Sequence, residues 1–130
     1  MSINLNVPIV MSLEENEIDD HLPSIKFNYS VDVTQFTHTL RFSGEIWVNC
    51  HNFDGFLKEL RTFKDVATLH DMNSNFLLEL SKTRNGIKFI WKVYREGITR
   101  DILTATYETI ISDDVFIQIK DVFMNYPKWW

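Results

Sequence analysis

Hydrophobic and polar positions alternate with two different periods along this chain. From residue 24, "SIKFNYSVDV" places Ile25, Phe27, Tyr29, Val31 and Val33 on alternate positions, the pattern of a strand with one buried face. The run "FTHTLRFSGEIWVNC" (36–50) continues that alternation, with His38, Leu40, Phe42, Gly44, Ile46 and Val48 on one parity. Ser43-Gly44 within it reads either as a tight turn between two strands or as a bulge in a long one. The period then lengthens. "NFDGFLKELRTF" lines up Phe53, Phe56, Leu57, Leu60 and Phe63 at helical spacing, with Asn52 as the expected N-cap and Asp54 in the first turn.

Period two returns in "SNFLLELSKT", "IKFIWKVYRE" and "ILTATYETIIS". Asn85-Gly86 joins the first two runs, because both residue types tolerate positive φ in a tight hairpin. Gly97 marks a second turn, so these runs predict a three-stranded meander. A closing helix follows. Ser112 is its N-cap, Asp113 and Asp114 complement its dipole, Val115, Phe116, Ile119, Val122 and Phe123 form its stripe, and Pro127 stops it. Near the start, "INLNVPIVM" (3–11) reads as one edge strand, since Pro8 cannot donate to a central ladder. The order of elements predicts an α+β domain spanning 1–130: an antiparallel sheet or sandwich of about six to eight strands with two amphipathic helices. No internal repeat or linker is visible in the sequence.

Composition agrees with a packed core. Hydrophobic residues make up 45% and charged residues 24%, and ten Phe and four Trp supply large rings. No apolar run reaches the roughly 20 residues of a bilayer span, and the opening residues lack a secretory pattern. With Cys50 as its one cysteine, the chain reads as cytoplasmic, without membrane attachment.

Charge adds one local feature. Eighteen acids stand against thirteen bases, and five of the acids, Glu14, Glu15, Glu17, Asp19 and Asp20, fall in "LEENEIDD". Without them the chain would hold thirteen of each sign, so the whole net charge of −5 maps to this segment. Its bland reading is a solvated loop, and its functional reading is a surface offered to a basic partner. The acidic balance argues against direct nucleic-acid binding, which rests on clustered Lys and Arg. The other surface candidate is Trp129-Trp130, expected either to fold onto the core beside Tyr126 or to anchor an interface.

Catalytic signatures are missing. His21, His38, His51 and His70 are scattered without metal-ligand spacing, and four separated glycines build no phosphate loop, so no metal or cofactor is expected. Cys50-His51 reads as a buried thiol beside a surface imidazole and not as a catalytic pair. Two rival readings remain: an aromatic pocket for a small molecule around Trp47, Trp91 and Tyr94, and an enzyme working through cross-strand carboxylates or His70.

From about residue 36 onward the chain resembles the WapI-like immunity proteins of bacterial contact-dependent and polymorphic toxin systems. The resemblance rests on the order "FSGEIWV", "NFDGFLKELRTF", "NFLLELSKTRNGIKFIWKVY" and "DDVFIQIKDVFMNYP". It implies a cytoplasmic, non-catalytic protein that binds and blocks one cognate toxin domain, commonly a nuclease. Nuclease clefts are basic, so carboxylates can stand where phosphates would lie. Under this expectation the partner-binding residues are Glu14, Glu15, Glu17, Asp19 and Asp20 with Trp129 and Trp130.

Overall fold

The computed structural model describes residues 1–130 and shows an α+β architecture of two four-stranded antiparallel sheets and two helices. The first sheet is a meander of β1 (Ser2–Leu5), β2 (Val10–Asp19), β3 (Ser24–Gln35) and β4 (His38–Asn49), followed by α1 (Cys50–Thr62). The second is a meander of β5 (Val66–His70), β6 (Phe76–Thr83), β7 (Gly86–Glu96) and β8 (Ile102–Ile111), followed by α2 (Asp113–Met124). Each half of the chain thus runs four strands and then a helix, a repetition of order that the sequence does not show.

Alternation decides the inward faces. Ile25, Phe27, Tyr29, Val31 and Val33 of β3 are buried, as are Phe76, Leu78 and Leu80 of β6 and Ile87, Phe89, Trp91 and Val93 of β7. The two apolar faces meet where Tyr29 packs edge-on against Phe76 (5.1 Å between ring centres) and Phe42 against Trp91 (5.9 Å). Both helices touch both sheets, α1 through β4 and β5, α2 through β1 and β7. Aromatic contacts knit them together: Phe53 stacks on Phe27, Phe56 meets Phe123 at 5.0 Å, and Phe63 stacks on Phe116 at 4.4 Å. The result is one continuous apolar core. No helix is long and apolar enough to cross a membrane.

Several local expectations change. The run 3–11 is two strands, with Pro8 in the turn between β1 and β2, where its missing N–H costs no ladder bond. The acidic segment is not a loop but the greater part of β2, held in the sheet by Leu13, which is fully buried and pairs with Tyr29. Ser43-Gly44 is neither turn nor bulge, since β4 runs through it with unbroken register. The Tyr29 ring lies over Gly44: a Cβ there would sit 3.1 Å from the Tyr29 hydroxyl oxygen, so the ring would have to give by a few tenths of an ångström.

The first helix begins earlier than expected. Asn49, not Asn52, caps α1 by accepting the His51 N–H at 2.8 Å, so Asp54 falls beyond the first turn. The meander gains a fourth strand, β5. The Asn85-Gly86 hairpin forms, with Arg84-Asn85 as its loop and Gly86, at φ 129°, pairing with Thr83. Ser112 caps α2 as expected, accepting the Val115 N–H at 3.2 Å.

Candidate partner-binding surface

Strand geometry divides the five acids of the segment, four of them in β2 and Asp20 in the turn after it. Before residue 15, even positions point away from the core and odd ones toward it, so Glu14 faces out opposite Asn28 while Leu13 faces in. A bulge at Glu15–Glu17 leaves Asn16 unpaired and resets the parity, so Glu17 faces out opposite Lys26. Two outward carboxylates thereby stand on one face, where strict alternation would have split Glu14 from Glu17. Beyond them, Asp19 accepts the His21 and Leu22 N–H groups at 2.9 and 3.3 Å and shapes the turn, while Asp20 is exposed beside it.

Glu15 points the other way, opposite the buried Phe27. There it faces the hydroxyl of Tyr126, which is buried and closes no hydrogen bond. That hydroxyl's pKa is raised, first by burial and then by the Glu15 charge.

The outward face continues across the sheet. Residue pairing sets Glu14, Asn28 and Glu45 in one row and Glu17, Lys26 and Trp47 in the next. The Lys26 ammonium bridges the rows, 3.2 Å from Glu45 and 3.7 Å from Glu17. Two carboxylates, Glu17 and Glu45, therefore share one cation while Glu14 has no ion pair, and the face stays negative after that pairing. Glu45 and Lys26 were not singled out in the sequence, because only strand register brings them beside the acidic segment.

The tryptophan pair lies elsewhere. The Trp130 indole N–H donates to the Asp54 carboxylate at 2.9 Å, its ring packs edge-on to Phe53 at 5.7 Å, and Lys128 reaches the same carboxylate at 2.6 Å. Trp129 rests edge-on against Trp130 and keeps 37% of its surface exposed. Phe53 and Tyr126 belong to the core side of the first sheet, so Trp129, Trp130 and Glu15 gather there. Glu14 and Glu17 occupy the opposite face, and the seven expected residues do not form one patch.

A second exposed aromatic was not expected. Phe36 and Thr37 form the two-residue turn between β3 and β4, both at positive φ (52° and 66°), and Phe36 is 88% exposed. Neither Gly nor Asn marks this turn. The available signal was the equal length of the alternating runs on either side.

The expected pocket trio is divided by the same alternation. Trp91 is wholly buried with its indole N–H unpartnered, and Tyr94 faces solvent and donates to Glu96 at 3.2 Å. Trp47 alone lines an open groove of about 520 Å³, together with Tyr29, Phe42, Asp71, Arg95 and Leu103. Burial raises the Tyr29 pKa there, against the Arg95 charge. Asp71 is buried because it braces a loop, accepting the Asn75 and Phe76 N–H groups at 2.7 and 3.0 Å.

Cys50 lies in the first turn of α1, buried, with His51 exposed beside it. Burial foremost, and Asp54 after it, push the thiol pKa up to about 11, so it stays protonated and unreactive at neutral pH. His70 sits at the exposed end of β5, its ring nitrogen 3.2 Å from the Asp71 carbonyl. Comparison with family models, curated proteins and solved structures finds no match to this chain.

Proposed function

We propose that this protein is a cytoplasmic immunity protein that binds a cognate bacterial toxin domain and neutralises it without catalysis. The observation that carries this reading is the outward face of β2, β3 and β4, where Glu17 and Glu45 share Lys26 and Glu14 stands beside them without an ion pair. A negative face on an acidic chain suits a partner that must itself be basic to hold a polyanion, such as a nuclease. Long-range attraction raises the rate of capture toward about 10⁸ M⁻¹s⁻¹ at low salt, which matters when a toxin must be stopped before it turns over. Phe36, at the tip of the β3–β4 hairpin of the same sheet, is an exposed ring available to desolvate such an interface, whereas Trp129 lies on the opposite side of the sheet.

The test is calorimetric titration against the carboxyl-terminal toxin domain encoded beside this protein, at low and high salt. Tight binding that weakens with salt is expected, and the Glu14→Gln, Glu17→Gln, Glu45→Gln triple variant should weaken it and flatten its salt dependence. An unchanged affinity and salt slope in that folded variant would refute the assignment of the face.

A second reading draws on the groove beside Trp47. Its size, its rings and its opposed charges, Lys26 and Arg95 against Glu45 and Asp71, suit a small zwitterionic organic molecule. Arg95→Ala should then abolish ligand-induced quenching of Trp47 fluorescence without altering toxin binding.

A further inference from the structure

Two open sheets leave four strand edges, and three are short or guarded. β1 offers four residues. β5 offers five, and its Thr68 N–H is taken by the Glu59 carboxylate of α1 at 3.1 Å. β4 carries Arg41 and Glu45, charges that discourage strand addition, and its Trp47 carbonyl already accepts the Met72 N–H at 2.8 Å.

The fourth edge has none of these defences. β8 is ten residues long, reads ILTATYETII, and has β7 as its one sheet neighbour. It contains no Pro or Gly, and its single charge, Glu108, is paired with Lys88 of β7 at 3.0 Å. Ile102, Leu103 and Ile110 are 61%, 58% and 47% exposed. A long edge whose one charge is already paired, with exposed apolar residues at both ends, is a pairing surface.

We propose that β8 pairs with β8 of a second copy of this chain, antiparallel, across a two-fold axis through Thr106. Residues opposed across an antiparallel seam share a face, and faces alternate along the strand, so the axis must pass through a residue and not between two. Thr106 and Tyr107 are the two central choices. Centring on Thr106 sets Ile102 against Ile110 twice, Leu103 against Thr109, and Ala105 against Tyr107. Centring on Tyr107 leaves Ile102 opposite Ser112, outside the strand, and strands Ile110 against Thr104.

The Thr106 register also satisfies the charges. Each Glu108 faces Thr104, and the two Glu108 residues stand about 13 Å apart along the strands, beyond a Debye length at physiological salt. Thr–Thr pairs are among the stabilising cross-strand pairs in sheets, and this register sets Thr106 opposite Thr106 of the second copy. The seam joins two four-stranded sheets into one of eight. The acidic face, on the other sheet, stays open.

Sedimentation velocity of the full chain over a wide concentration range tests this. The mass should move from 15.4 kDa to twice that value as concentration rises. Ile102→Lys with Ile110→Lys places lysines against lysines and should return the chain to monomer. Ile102→Glu with Ile110→Lys creates a Glu–Lys pair at both ends of the seam only in the Thr106 register, and should keep the dimer. Under mild oxidation Thr106→Cys should cross-link with itself, while Thr104→Cys should not, Cys50 being buried. Circular dichroism establishes that each variant is folded. A chain that stays monomeric throughout, a dimer that survives the double-lysine change, or equal cross-linking at 104 and 106 would overturn the proposal.

Discussion

Replacing Phe36-Thr37 with Asn-Gly should make the protein more stable, although it removes an aromatic ring. Both residues hold left-handed backbone, at φ 52° and 66°. Left-handed conformation costs an ordinary L-residue about 1–2 kcal/mol, and β-branched Thr tolerates it worst, whereas Asn and Gly are the residues that two-residue hairpins with this twist prefer. Three losses oppose the gain. The ring is 88% exposed, so its removal forfeits little burial. The Thr37 hydroxyl loses its hydrogen bond to the Phe36 carbonyl, an exposed contact of small net worth. Glycine in place of Thr37 adds about 0.5–1 kcal/mol of unfolded-state entropy. The balance is a stabilisation of about 1–2 kcal/mol, since two strained positions are relieved against these smaller losses. Urea denaturation should show a higher midpoint at unchanged slope, and the melting temperature should rise by roughly 3–5 °C per kcal/mol. An unchanged or lower midpoint would refute the account of this turn as strained. The same variant tests function, because toxin affinity should fall if Phe36 is the ring that reaches the partner.

Three further outcomes follow from the packing. Leu60 of α1 is fully buried, and Leu60→Ala should cost about 2–5 kcal/mol in a thermal or urea melt; a smaller loss would mean the site collapses around the missing atoms. Asp54→Asn removes the carboxylate that holds both Lys128 and Trp130, so acrylamide should quench tryptophan emission more strongly while the melting temperature drops by only a few degrees; unchanged quenching would show that Phe53 alone secures Trp130. Cys50 should resist alkylation at neutral pH and react as the pH approaches 11. Its folded pKa lies above the ordinary 9.0, so the unfolded chain loses its proton first, and the stability linked to this thiol is full below pH 9 and falls between about 9 and 11. Urea midpoints that do not fall across that range in wild type relative to Cys50→Ala would contradict it.

The elements legible in the sequence were those whose side chains carry their own period. β3, β6, β7 and both helices announced themselves because a buried face selects apolar residues at a fixed spacing. The acidic strand was hidden because its outer half is charged and its bulge breaks alternation, leaving Leu13 as one of few signs that the segment faces a core. β5 is five residues with two apolar anchors, Ala67 and Leu69, too short to stand out from a loop. The turn at Phe36-Thr37 escaped because it uses residues that turns avoid. The candidate site was legible in its charge but not in its shape: Glu45 lies about thirty residues from Glu14, and only the register of three strands makes them neighbours.

The repeated order of four strands and a helix also sets a schedule for synthesis. Every strand pair lies within one half of the chain, so the first sheet and α1 can assemble as soon as residues 1–62 have emerged. Its inner face, with Tyr29 and Phe42 waiting for Phe76 and Trp91, then has no cover. At about 5–20 residues per second the second sheet, complete at Ile111, needs roughly 2–10 s to follow. For that interval the nascent chain would carry an apolar slab, with the outward Glu14 and Glu17 of β2 as solubilising charge on its other side. The outward charges of β2 would therefore serve the ribosome-bound half-protein before they serve any partner.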